Sequence, residues 1–419
     1  MKYVYILYIL YTEYFFMKFY KSKKLFAHID CDSFFAECEI LKNPKLKNKY
    51  VLVWNEIVIA CNYKTKALWI KTGTPVWTAK SILKDKWIFL WVDHDYYTFI
   101  SDKLMRYLEE NTLSIEPFSI DEAFCEITWL AEMYKITLEE YIKKLQKDIL
   151  KIIWVPVSIW VSNTRIKAKI FSKINKPFWY YISLSQEQDK EIFSKLPLAI
   201  VPFIWRKTQE KFKYSCENVY DFIKLWYWKL EEIIWKNATD LWLELIWVNA
   251  FVVKKSLEVK SMSRGRSFNN QITNNKIFLK NQLLLNFNIL YEEFITKDIE
   301  LKTISIFMRD KSMFTNMFSV NFAFHTYIRS EILKMVLVLF EENFDKNKLY
   351  RSTGIVFSNF RSYKPHQLSI FDKKLRDKQN NLCLVKTINK INQKYWNHKL
   401  CFWEELLWKG FHAKVGIRK

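Results

Sequence analysis

Asp30 closes a short alternating apolar run, LFAHID over residues 25–30, as a strand running into a site does. The pair Asp121-Glu122 follows much later, inside a segment (residues 114–128) that reads as a β-hairpin. Carboxylates brought together from separate strands are what phosphoryl transfer to a hydroxyl requires. They can hold two divalent cations, one activating the attacking oxygen and one steadying the leaving phosphate. Adjacent strand residues point to opposite faces, so Asp121 and Glu122 reach one ion site only at a turn or a main-chain distortion. Taken alone, an isolated Asp and an Asp-Glu pair are usually surface charge. Their flanking residues decide the matter.

The elements that must position these acids follow from periodicity. Residues 33–41 read as a helix, 50–62 as a hairpin turning at Trp54-Asn55, and the basic stretch to about residue 90 as helical. Helical spacing returns at 96–112 and 138–153, followed by a strand at 155–161 and a helix at 164–174. Residues 190–250 read as wholly helical. From about residue 256 the pattern is strand–helix–strand, through KTISIFM, FSVNFAF, a helix at 329–343 and STGIVFSN. The tail 364–419 is basic and carries one helical segment, LVKTINKINQKY.

A chain of 419 residues is too long for one ordinary core, so several domains are expected. The formal charge is +22, from 66 Lys+Arg and 44 Asp+Glu, and residues 251–419 carry +16 of it. Such an excess suits a polyanionic partner whose phosphates the cations neutralise. Seven scattered cysteines with no CxxC pair argue against a disulfide framework or a zinc site, and for a reducing cytoplasm. Six scattered His offer no metal spacing. Residues 3–12 are apolar but too short to span a bilayer, and Met17 is the expected start of the chain.

Glycine is scarce, with 5 residues where a usual content of about 7% would give roughly 29. Trp is correspondingly abundant at 18. Many Trp stand where turns ask for glycine, which alone adopts left-handed backbone without penalty. The reading that follows is a gene in which UGA specifies glycine. Trp54, Trp69, Trp77, Trp160, Trp179, Trp205, Trp226, Trp235, Trp247 and Trp396 are the expected glycine positions, and Trp242 the expected true Trp.

The string HIDCDSFFAECE from His28 to Glu39 resembles the first motif of Y-family translesion DNA polymerases, and FSIDEAF from Phe118 to Phe124 is similar to their second. NYKTKALW (62–69) resembles the fingers motif, SIWVSNTRIKAK (158–169) with Asn175-Lys176-Pro177 the palm segment, and IWRKT (204–208) the thumb hairpin. QLSIF (367–371) resembles the peptide that such polymerases insert into a sliding clamp. The resemblance runs over residues 25–400. It implies that Asp30, Asp121 and Glu122 are the catalytic metal ligands, joined by the Cys31 carbonyl, for two Mg²⁺ ions. It implies that Phe35 is the steric gate that rejects a ribose 2′-OH, with Phe34 beside it as a core or nucleotide contact. Tyr63, Lys66 and Lys169 would hold the triphosphate. Lys66 stands where many relatives have Arg, so bidentate gripping is lost there. Gln367, Leu368, Ile370 and Phe371 would bind the clamp. Asp32 and His28 read as structural.

The fold implied is α+β, a multidomain right-hand polymerase. A ferredoxin-like palm covers 24–41 and 93–182, small fingers 42–92, and a helical thumb with helix-hairpin-helix 183–250. An α/β little finger covers 256–362, and the clamp-binding tail 363–419, after an N-terminal extension at 1–23. The expected protein is a monomer working on primer–template DNA, dNTP and a clamp, with no membrane role. Two rivals stand beside it: a palm-fold nucleotidyl cyclase, and a catalytically inactive DNA- or clamp-binding accessory protein.

Overall fold

A computed structural model describes residues 24–362, apart from 56, 85, 213–214, 226–236, 252–258 and 269–271, together with position 387. The N-terminal extension, the clamp-type peptide and Trp226, Trp235 and Trp396 lie outside the described residues. The fold is mixed α+β and divides into two units, one up to residue 257 and one from residue 258.

In the first unit the run at 25–30 forms strand β1 (Phe26–Cys31), followed by helix α1 (Phe34–Lys42). Strands β2 (Tyr50–Trp54) and β3 (Val58–Cys61) pair as the expected hairpin. The one-turn helix α2 (Tyr63–Lys66) and helix α3 (Val76–Leu83) follow. Strand β4 (Trp87–Trp91) then lies parallel to β2, completing a small sheet of order β3-β2-β4. The sequence predicts helix here. WIFLW is a strand because a parallel partner is reached by crossover, so no hairpin turn announces it and its apolar run fits either element.

Helix α4 (His94–Asn111) starts at Asp93, whose side chain accepts the Tyr96 N–H. It leads into the hairpin of β5 (Ser114–Pro117) and β6 (Glu122–Glu126). Helix α5 (Leu138–Ile153) begins in a reciprocal capping box between Thr137 and Glu140. Strand β7 (Val157–Ser162), helix α6 (Arg165–Phe171) and strand β8 (Tyr180–Ser183) complete this region. The five strands join in the order β5-β6-β1-β7-β8, with β1 central and antiparallel to both neighbours. Alternation sorts the side chains of β1. Ala27, Ile29 and Cys31 enter one core with Ile100 and Leu104 of α4 and Ile142, Leu145 and Ile149 of α5. His28 and Asp30 take the other face, which α6 covers.

The region expected to be helical supplies α7 (Gln186–Lys195), α8 (Arg206–Phe212), α9 (Val219–Lys224) and α10 (Asn237–Leu245). Their apolar faces share a second core with α6, through Ile170, Phe171, Phe193, Phe212 and Phe222. Each such side chain, fully buried, stabilises by roughly 1.5–3 kcal/mol.

The second unit runs β9 (Ser261–Ser267), α11 (Lys276–Ile295), β10 (Ile299–Asp310), β11 (Thr315–Thr326), α12 (Arg329–Asn343) and β12 (Tyr350–Ser362). All pairs in the sheet β11-β10-β12-β9 are antiparallel. Helix α11 lies against β9 and β12, and α12 against β10 and β11. Among the described residues no helix is long and apolar enough to cross a membrane.

The backbone bears on the glycine question. Trp69, Trp129, Trp154 and Trp247 have φ of 63°, 65°, 67° and 80°, in the left-handed region that favours glycine. Trp154 stands directly after α5, where helices commonly end on a left-handed glycine. Trp129 and Trp154 are additions to the expected set, whereas Trp54, Trp77, Trp160, Trp179 and Trp205 have no such backbone. Trp160 departs further from expectation. Its indole is fully buried in the second core on the His28 face of the sheet, with Lys176 Nζ 5.2 Å from its ring centroid, and donates to the Ile174 carbonyl at 3.1 Å.

Candidate active site

The C-terminal end of β1 gathers the acids. Asp30 stands opposite Glu122 on β6 and opposite Ser158 on β7, so the three share one face of the sheet. Asp121 occupies the bend before β6, and its carbonyl accepts the Cys31 N–H at 2.8 Å. This is the turn that the adjacent pair Asp121-Glu122 needs. Ser119 hydrogen-bonds the Asp121 carboxylate from within the same bend. The Cys31 thiol is buried in the core beneath, and burial pushes it well up, so this residue offers the site only its main chain.

Two lysines meet the acids. Lys169 of α6 pairs with Glu122, and Lys176 pairs with Asp30. The placement of Lys169 follows from how α6 is anchored. Glu244 of α10 accepts the Ile166 N–H at 3.3 Å near the start of α6, Arg165 pairs with Glu116, and buried Lys167 pairs with Asp189. Lys176 is the residue that sequence reasoning passed over. It appeared only inside the Asn175-Lys176-Pro177 motif, and nothing in its spacing announced contact with Asp30.

Electrostatics differ between the acids. Burial raises Glu122, but the His28 imidazole, whose Nε2 lies 3.4 Å from Glu122 Oε2, and then Lys169 outweigh it, bringing the group down to about 2. Asp121 is shifted upward by burial first and then by the charges of Asp30 and Glu122, against the Ser119 hydrogen bond. His28 is fully buried between the rings of Phe124 and Trp160, and burial lowers its pKa. Asp32 is fully buried just beyond the strand. It accepts from Ser158 Oγ at 2.9 Å, the Phe178 N–H at 2.8 Å and the Tyr63 hydroxyl at 3.2 Å, the structural task expected of it.

Tyr63 and Lys66 reach the same end from α2. Asn62 caps that helix by accepting the Thr65 N–H at 3.1 Å and donates to the Lys49 carbonyl at 2.9 Å, which fixes the turn. Lys66 Nζ lies 4.3 Å from the Tyr63 ring centroid. Its pKa is lowered by burial, with Lys176 adding repulsion. Lys66, Lys169 and Lys176 thus form a positive rim around the carboxylates. At the start of α1, Phe34 is 3% exposed in the core while Phe35 is half-buried, so Phe34 can meet a ligand only through its main chain.

Asp30, Asp121, Glu122 and the Cys31 carbonyl are hard oxygen donors of the kind Mg²⁺ takes. Asp30 and Glu122 lie close enough to Asp121 to add to the upward shift that burial gives it, and a cation would relieve that gathering of negative charge. Among the described residues no three His, Cys, Asp or Glu side chains form a ready-made cage, and lysines pair with Asp30 and Glu122. The donors fit divalent cations, which would have to displace those ammonium groups.

Residues 29–173 match the impB/mucB/samB family, and residues 259–370 match that family's C-terminal domain. The chain is 24% identical over 356 residues to DNA polymerase IV of Fusobacterium nucleatum, covering 83% of this chain and 99% of that one. It is 33% identical over 199 residues to DNA polymerase IV 1 of Bacillus subtilis, covering 46% and 47%. Among solved structures, a Dbh–Dpo4 Y-family DNA polymerase chimera superposes with a TM-score of 0.68 at 21% identity, covering 81% of this chain and 99% of that one. DinB from Sulfolobus solfataricus superposes with a TM-score of 0.52 at 21% identity, covering 80% and 98%.

Proposed function

The chain belongs to the Y family of translesion DNA polymerases, and from that premise we propose that Asp30, Asp121 and Glu122 are the catalytic acids of template-directed DNA synthesis past lesions. The observation that carries this is the register pairing of Asp30 with Glu122, with Asp121 turned in by the adjacent bend. The reaction joins the primer 3′-OH to the α-phosphate of a dNTP and releases pyrophosphate. Y-family polymerases use divalent metal ions, and the donors here suit two Mg²⁺. Bound there, such ions acidify the attacking hydroxyl and neutralise the leaving phosphate.

The chain's own residues do the rest. Asp30, Asp121, Glu122 and the Cys31 carbonyl hold charge at a fixed point beside the primer end. Lys66, Lys169 and Lys176 face the triphosphate oxygens as charge-assisted donors, with Tyr63 kept in place by Asp32. The Phe35 ring occupies the space that a 2′-OH would need. The five-stranded sheet serves as palm, the three-stranded sheet as fingers, the helices of 183–250 as thumb, and the second unit as a basic little finger that binds duplex phosphates. The protein works as a monomer in the cytoplasm with its thiols reduced.

Primer extension on a lesion-bearing template with Mg²⁺ separates this reading from its rivals. Extension past the lesion is expected. Cyclisation of a nucleotide, or DNA binding without extension, would sink it. Gln367, Leu368, Ile370 and Phe371 dock the chain on a sliding clamp. Replacing Leu368 and Phe371 with Ala should weaken clamp affinity about 30-fold and leave clamp-free extension unchanged. Equal losses with and without clamp would show that this peptide has a structural role instead.

A further inference from the structure

Phe35 does not stand alone at the start of α1. Its ring stacks on Tyr97 of α4, with centroids 4.4 Å apart and planes 17° from parallel. The His94 ring meets its edge at 6.2 Å, and Phe34 lies 5.8 Å away. Tyr97 is fully buried, and its hydroxyl donates to Glu39 Oε1 at 2.8 Å. Glu39 is 7% exposed and sits one helical turn after Phe35, so the two side chains share a face of α1. Tyr97 therefore touches that face at two points, ring to ring at Phe35 and hydroxyl to carboxylate at Glu39.

The carboxylate is itself fixed. Lys42 Nζ, at the end of α1, donates to Glu39 Oε1 at 3.2 Å and also pairs with Asp93. Asp93 is the residue that caps α4. The chain Asp93–Lys42–Glu39–Tyr97–Phe35 thus ties the start of α4 to the ring at the site. A ring stacked on a partner keeps its tilt only while the partner ring keeps its own. The Tyr97 ring is held against sliding away from α1 by its hydroxyl bond to a buried, paired carboxylate.

From this geometry we infer that Glu39 is a positioning residue for sugar selection, acting through Tyr97 on the Phe35 ring. The inference rests on Phe35 being the gate. Loss of the Glu39–Tyr97 bond lets the stacked pair retreat from the nucleotide and admits a ribose 2′-OH. The phenol stays a neutral donor for this purpose, since burial first and Glu39 second push its pKa upward.

The test is the ratio of kcat/KM for a dNTP to that for the matching rNTP on an undamaged primed template. The parent, Glu39→Gln, Glu39→Ala, Tyr97→Phe, Phe35→Ala and the double variant Glu39→Ala/Phe35→Ala are compared. Glu39→Ala and Tyr97→Phe should lower the ratio about three- to tenfold, the factor expected when a side chain sits ~30° off its rotamer. Glu39→Gln keeps an acceptor oxygen and should retain most of the discrimination. In the Phe35→Ala background, Glu39→Ala should lower the ratio no further. Tyr97→Phe preserves ring and volume, so it decides the matter even if Glu39→Ala folds poorly. A ratio within twofold of the parent in Tyr97→Phe and Glu39→Ala, beside a collapsed ratio in Phe35→Ala, would overturn the inference and leave the gate standing. An unchanged ratio in Phe35→Ala would overturn both.

Discussion

The two larger sheets, one antiparallel except for its β7–β8 edge and the other antiparallel throughout, serve opposite ends. In the first unit β1 is central, covered on one face by α4 and α5 and on the other by α6, and its chemistry is confined to one strand end. Three carboxylates there are placed by register and a bend, Lys169 by the anchored helix α6 and Lys176 by the loop after it. In the second unit the apolar side chains of β10, Ile304, Ile306 and Met308, meet the helices. The alternate residues Thr303, Ser305 and Arg309 align across strands with Ser319, Ser352, Ser358 and Ser263. On that face the Phe307 ring lies over Gly354 and Gly265, where a Cβ would come within 2.3 and 2.5 Å of it. Chemistry on a bond needs a few groups at fixed points, whereas holding a polyanion needs many interchangeable ones. The first sheet should therefore be brittle to single changes in function, and the second in packing alone.

The largest effect that could break this contrast belongs to the strand end. Asp30→Ala or Asp121→Ala should lower single-nucleotide incorporation about a thousandfold with DNA affinity within twofold of the parent, measured by single-turnover kinetics and anisotropy. A parallel loss of DNA affinity would mean that the acids build the fold instead. A smaller effect belongs to the second sheet. Gly354→Ala should push Phe307 out of place and cost about 1–3 kcal/mol in thermal melts. An unchanged melting temperature would show that the ring has room to move.

The smallest effect concerns Trp69 and Trp154, which are 83% and 69% exposed and hold left-handed backbones. Replacing each with Gly should stabilise the chain by about 1 kcal/mol, because little packing is lost and the backbone penalty goes. UGA codons at both positions would be the genetic counterpart. A loss of stability on substitution would contradict the glycine reading there.

What was legible in the sequence depended on the kind of signal. Asp30, Asp121 and Glu122 stood out through their flanking residues, HIDCDSFF and FSIDEAF, since acids in such places are by themselves usually surface charge. The helices α1, α4, α5 and α12 followed from spacing. Helix α11 did not, because KIFLKNQLLLNFNILYEEFI is apolar around most of its circumference. Burial there extends even to Gln282 and Asn286, so the amphipathic period is blurred. Strand β8 is four residues long and parallel to β7, with neither length nor turn to announce it. The contacts that fix the site, Lys176 on Asp30 and Glu39 on Tyr97, join residues far apart in the chain. Only the fold brings them together.

The most direct test of the site is single-turnover incorporation of one dNTP by Glu122→Ala beside the parent, on primed template with saturating DNA and Mg²⁺. Glu122 faces Asp30 in register and is held ionised down to about 2, so its loss should abolish product while DNA affinity stays near that of the parent. Retention of more than about a few per cent of the parental rate would contradict the assignment of these carboxylates as the catalytic acids.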